Sequence, residues 1–138
     1  MPCNRQRGRI LWVQAKSRVE NLTPHQVAEE AAADAVLIDL REPAELANDG
    51  MIDGAVHAPR GMLEFWADPS SPYHRSEFEP TRRTILYCAS GGRSALAAEV
   101  LAQFGYTAVA HLDGGIKAWK QAGCPVVLPG PGNSATQS

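Results

Sequence analysis

Three short apolar runs, at residues 35–40 (AVLIDL), 84–88 (TILYC) and 108–112 (AVAHL), constrain this 138-residue chain more than any other feature. Each is nearly continuous rather than alternating, the pattern of a strand covered on both faces. Helical spacing separates them. Thr23 followed by Pro24 is a helix start, an N-cap with proline in the first turn, for a helix reaching about residue 33. Pro43 opens a short helix closed by Gly50, residues 94–104 form an amphipathic helix ended by Gly105, and residues 116–122 form a last helix closed by Gly123. Residues 19–22 read as an edge strand and 55–58 as a brief strand stopped by Pro59. Residues 61–80, where Trp66, Tyr73 and Phe78 stand among prolines, serines and charges, read as one or two short helices over one sheet face. Strands alternating with helices imply an α/β fold, a parallel sheet with helices on both sides.

The length suits one domain. Residues 1–16 lack clear periodicity and are expected to be a loose N-terminal arm, 17–127 the folded body, and 128–138 (LPGPGNSATQS) a disordered tail. A net charge of −2 gives no basic field, so neither nucleic acid nor an anionic membrane is an expected partner. Cys3, Cys88 and Cys124 show no C-x-x-C spacing, which supports neither a zinc site nor a disulfide framework and fits a reducing compartment. No apolar run approaches the roughly 20 residues of a membrane span, and residues 10–13 are too short for a secretory segment. The expected location is the cytoplasm.

In parallel sheets ligands sit beyond the C-terminal strand ends, and Asp39, Cys88 and Asp113 all fall there. After Cys88 come Ala89, Ser90, Gly91, Gly92, Arg93 and Ser94, with a helix beginning at once. Small side chains let successive backbone N–H groups turn inward around the sulfur. The helix start adds its unpaired N–H groups and positive dipole end, worth about 0.3–2 kcal/mol to an anion. Arg93 adds a fixed charge suited to an anionic substrate and to the thiolate. An electropositive loop of this kind activates a thiol, whereas an inert packing cysteine needs none of it.

The stretch Cys88-Ala89-Ser90-Gly91-Gly92-Arg93 resembles the C-x-x-G-x-R active-site loop of rhodanese-like domains. Residues 37–42 (LIDLRE) are similar to that family's D-x-R strand, followed by 50–55 (GMIDGA), and residues 112–119 (LDGGIKAW) to its closing L-x-G-G-x-x-x-W. The resemblance covers about residues 19–127, with three motifs in order. It implies a three-layer rhodanese-like fold with a central five-stranded parallel sheet. It also implies sulfurtransferase chemistry through a Cys88 persulfide, from a small anionic donor such as thiosulfate to cyanide or a thiol, or to a protein acceptor. No metal and no organic cofactor is called for, and monomer and homodimer are both compatible. Met51 replaces a histidine frequent in the family, at a position that looks structural.

Asp39 and Arg41, at a strand end, are read first as an ion pair or cap holding adjacent turns, and second with Asp39 orienting Arg93 or the loop. Arg60, after Pro59, is a weaker candidate for binding an anionic donor. Ser90 is read evenly as a donor to the persulfide or as a cap. Gly114 and Gly115 are assigned to a tight turn and Trp119 to the core; no histidine is paired with Cys88 by spacing. Among rival functions, cysteine phosphatases and arsenate reductases use C-x5-R, where this chain has C-x4-R, a smaller ring of amides. A sulfur-relay carrier or an interaction module on the same fold are the remaining readings, and retention of Cys88 argues against the last.

Overall fold

The computed structural model describes residues 10–130. Five strands, β1 (Glu20–Leu22), β2 (Val36–Asp39), β3 (Val56–His57), β4 (Thr84–Tyr87) and β5 (Val109–Leu112), form one sheet in the order β1-β5-β4-β2-β3. Every pairing is parallel. The helices among the described residues are α1 (Leu11–Lys16), α2 (Pro24–Ala32), α3 (Pro43–Asp49), α4 (Leu63–Ala67), α5 (Gly92–Gln103) and α6 (Gly115–Gln121), with a 3-10 turn at Arg60–Met62 before α4. The continuous apolar runs thus become the central strands, as their burial on both faces requires.

Side-chain alternation divides two cores. Leu37, Ile85, Tyr87, Ala110 and Leu112 face one side and pack with Val27 of α2, Leu46 of α3, and Ile116 and Trp119 of α6. Val36, Ile38 and Leu86 face the other, against Leu63 and Ala67 of α4 and Ala97, Ala98 and Leu101 of α5. Local signals set the element ends. Thr23 and Gln26 make a reciprocal capping box at α2, the Gln26 N–H donating to Thr23 Oγ1 at 3.2 Å and the Thr23 N–H to Gln26 Oε1 at 2.9 Å.

Two expectations need correction. Residues 11–16 are not a loose arm but α1, which packs on α5 and buries Ala15 completely. Six residues show too little of a helical period to be recognised, and tertiary contact stabilises the turn. Gly92 does not break the chain before the helix; it is the first residue of α5, and Gly91 is its cap at φ +108°. The short helices expected over one sheet face at 61–80 are the 3-10 turn and α4, whose Leu63 and Ala67 join the second core while Phe65 stays half exposed, edge-on to Tyr73. Trp66 lies against Arg75, whose guanidinium carbon is 4.4 Å from the ring centroid. Of the expected disordered tail, residues 131–138 lie outside the described residues.

Candidate active site

Cys88 follows β4 and its side chain is fully buried. The carbonyls of Cys88 and Ala89 accept the Ile116 and Lys117 N–H groups at 2.9 and 3.2 Å, so the start of α6 holds the outer side of the loop. With those carbonyls turned away, the chain reverses at Gly91, whose N–H donates to Cys88 Sγ at 3.2 Å. The contact between α6 and the loop is close. A Cβ on Gly115 would lie 2.4 Å from the Cys88 carbonyl oxygen and 2.5 Å from that of Ala89, and Gly115 has φ +62°. The glycine pair read as a turn is therefore also the clamp on the cysteine loop.

The loop differs from a full ring of inward amides. Among the described residues the Gly91 amide is the backbone donor on the sulfur, and Cys88 lies 3.7 Å from Ser94 Oγ. Ser90 is exposed at the loop tip and does not cap α5, whose cap is Gly91. Gly92 sits under Trp12 of α1; a Cβ there would touch the indole at 3.5 Å.

Arg93 is not a free cation. Its guanidinium forks onto Glu45 of α3, with Nη1 to Oε2 at 2.9 Å and Nη2 to Oε1 at 2.8 Å. Arg93 is raised above its ordinary value, first by Glu45 and to a smaller extent by nearby Cys88, so it stays charged beside the sulfur. Glu45 falls to about 2, chiefly through the same hydrogen bonds. The field offered to an anionic substrate is that of a pair, weaker than a lone arginine would give. Arg60 is likewise engaged, donating to Glu64 at 2.7 Å one helical turn away.

Asp39 does not reach for Arg93. It holds Arg41 in a fully buried fork, Nε to Oδ1 at 3.0 Å and Nη2 to Oδ2 at 2.7 Å, while Nη2 also donates to the Gly50 carbonyl at 2.7 Å. The pair joins the end of β2 to the turn after α3, beneath the elements that carry Glu45.

The site residues that the sequence reading missed are Glu45, Gly115 as a clamp, Asn21 and His111. His111 on β5 is completely buried, with Nδ1 2.8 Å from Ser94 Oγ and Nε2 2.6 Å from Asn21 Oδ1. The only advance signal for it was a histidine inside an otherwise apolar strand run. Burial pushes His111 down to about 4 from 6.5; Lys16 adds to the fall and Asp113 opposes it. Between pH 6.5 and about 4 the unfolded chain therefore binds a proton that the folded chain refuses, and stability falls as pH falls through that window. The expected loss is about 3 kcal/mol. Urea titrations at the two ends of the window should show it in the wild type and show it much reduced in His111→Gln; equal losses in both would refute the assignment.

Residues 23–122 match the Rhodanese-like domain family. Among relatives, a protein named sulfurtransferase from Allochromatium vinosum is 41% identical over 96 residues, covering 70% of this chain and 81% of the relative. A solved structure from Rhodopseudomonas palustris, described as a protein of unknown function and possible tyrosine phosphatase, is 42% identical with a TM-score of 0.78, covering 83% of this chain and 89% of that one. The polysulfide-sulfur transferase homodimer of Wolinella succinogenes aligns with a TM-score of 0.71 at 26% identity, covering 88% and 87% of the two chains. No helix among the described residues is long and apolar enough to cross a membrane.

Proposed function

The chain belongs to the rhodanese-like domain family and is of sulfurtransferase type, and from that premise we propose that Cys88 carries sulfane sulfur as a persulfide. The observation that carries the reading is the Gly91 N–H aimed at a cysteine sulfur at the start of α5, with Gly115 holding the loop from behind. In the first half-reaction the Cys88 thiolate attacks the outer sulfur of a donor such as thiosulfate. A new S–S bond forms, the donor's S–S bond breaks, and sulfite leaves with its electron pair. In the second, cyanide or a thiolate attacks the outer persulfide sulfur and the Cys88 thiolate is restored, a two-step covalent scheme. Gly91 N–H and the start of α5 stabilise charge on the sulfur in both states. The supporting parts are Arg93 held by Glu45, and the Asp39–Arg41 pair that fixes the neighbouring turn.

Because Arg93 is already neutralised by Glu45, donors are not selected by a strong positive field, and thiosulfate is one candidate among sulfane donors that include persulfides of small thiols and of proteins. The cytoplasm is the proposed location. The relative described as a possible tyrosine phosphatase keeps a second reading in the test. A loop of four residues between Cys88 and Arg93 favours a single sulfur atom over a tetrahedral phosphate.

The test is intact mass spectrometry of the reduced protein after thiosulfate or glutathione persulfide, beside Cys88→Ala, with cyanide added afterwards. The expected result is a gain of about 32 Da that requires Cys88 and is discharged as thiocyanate. No gain from any sulfane donor, together with Cys88-dependent hydrolysis of an aryl phosphate, would overturn the reading in favour of the phosphatase.

A further inference from the structure

We propose that Ser94, His111 and Asn21 form a proton relay for Cys88, in which Ser94 takes the thiol proton while passing its own to Nδ1 of His111. The inference rests on Cys88 being the nucleophile proposed above. Its direction is fixed from the far end. Asn21 Nδ2 donates to two backbone carbonyls, Lys16 O at 2.8 Å and Val19 O at 3.0 Å, a task only the amide nitrogen can perform. Asn21 Oδ1 must therefore face His111, and at 2.6 Å it accepts the proton of Nε2. A neutral imidazole with Nε2–H has Nδ1 as its acceptor, so the Ser94 hydroxyl donates to Nδ1 at 2.8 Å. The Gly91 carbonyl, 3.3 Å from the same hydroxyl, is the longer alternative. Ser94 Oγ then presents a lone pair to the Cys88 thiol 3.7 Å away, a normal reach for S–H as donor.

The transfer balances without any co-reactant. The S–H bond breaks and an Oγ–H bond forms, the old Oγ–H bond breaks and an Nδ1–H bond forms, and the electron pair stays on sulfur. Thiol and imidazole become thiolate and imidazolium, and the proton returns by the same path when the thiol is restored. Ser94 touches the reacting atom; His111 and Asn21 act through it and are positioning residues. The charged groups around His111 are accounted for. Lys16 of α1 and Asp113 after β5 pair with each other at 2.7 Å, while Arg93 and Glu99 of α5 are held by Glu45 and Arg18. His111 is neutral at rest because burial opposes its imidazolium, and the thiolate formed in the same step supplies the counter-charge that lets Nδ1, one hydroxyl away from the sulfur, take the proton. The arrangement also gives α1 a part in the chemistry, because its Lys16 carbonyl orients Asn21.

Peptide-level mass spectrometry of Cys88 alkylation by iodoacetamide, from about pH 5.5 to 9, tests the relay, since a base-assisted thiol and a free one differ in pH profile. This readout needs no sulfur donor, so a failure of persulfide loading and a failure of the relay are separable. The wild-type rate should be nearly flat below neutrality. His111→Gln and Ser94→Ala should fall about tenfold per pH unit on the acid side and approach the wild type toward pH 9, where hydroxide removes the proton. Ser94→Thr should restore the flat profile. A uniform drop at every pH in His111→Gln, the mark of a merely structural role, would overturn the relay. If the variants do not fold, the wild type decides alone: a rate falling about tenfold per unit below neutrality sinks the proposal.

Discussion

Gly115→Ala should slow sulfur loading on Cys88 by about 100-fold, through the backbone of the loop and not through the sulfur itself. The added methyl would fall 2.4 Å from the Cys88 carbonyl oxygen and 2.5 Å from the Ala89 carbonyl group, against backbone that cannot rotate out of the way. Either the loop moves off the start of α6 or the helix tilts. In both cases the Ile116 and Lys117 donations to Cys88 and Ala89 are lost and the Gly91 amide leaves its place on the sulfur. A displacement of about 1 Å at a reacting group costs on the order of 100-fold in rate. The left-handed φ of +62° adds roughly 1 kcal/mol of backbone strain. Gly123→Ala separates the two effects, because Gly123 has φ +83° with nothing within 4 Å of the added Cβ. That control should lose about 1 kcal/mol of stability and still load sulfur. Persulfide loading rates by mass spectrometry and urea midpoints, taken on both variants, check the prediction. Near-normal loading in Gly115→Ala would show that the start of α6 does not hold the loop.

The same glycine marks the boundary of what the sequence could reveal. Runs such as VLID and TILY announce buried parallel strands because their meaning is local, and Thr23-Pro24 announces its helix by its own capping chemistry. The cysteine loop was legible for the same reason: strand end, small residues and helix start are contiguous. Pairings across elements were not. Glu45 and Arg93 stand 48 positions apart, and Ser94, His111 and Asn21 are brought together by α5, β5 and β1. Nothing in spacing says which carboxylate will take a loop arginine, or that a strand histidine will face a helix serine; sheet order decides it. The order β1-β5-β4-β2-β3 sets β5 between β4, which the nucleophile follows, and β1, which carries Asn21. The error over α1 has the same origin, since its six residues are helical through contact with α5.

Asp39→Ala is expected to destabilise the fold by about 3–5 kcal/mol, because it leaves the Arg41 guanidinium buried without its counter-charge. Both side chains are wholly inaccessible to water, so solvent does not replace the lost carboxylate beside the orphaned cation. Its Nη2 would retain only the Gly50 carbonyl, and its Nη1 already lacks a hydrogen-bond partner among the described residues. Against a typical domain stability of about 5–15 kcal/mol, such a loss brings the fold near its limit. The double substitution Asp39→Leu with Arg41→Met should recover part of it, since apolar replacement removes both desolvation costs at once. The recovery stays incomplete if Arg41 also fastens the turn at Gly50, whose carbonyl then loses its donor. Urea unfolding of the two variants gives the comparison. A single variant within about 1 kcal/mol of wild type would show that water reaches this pair, and that the β2 end is held by packing rather than by charge.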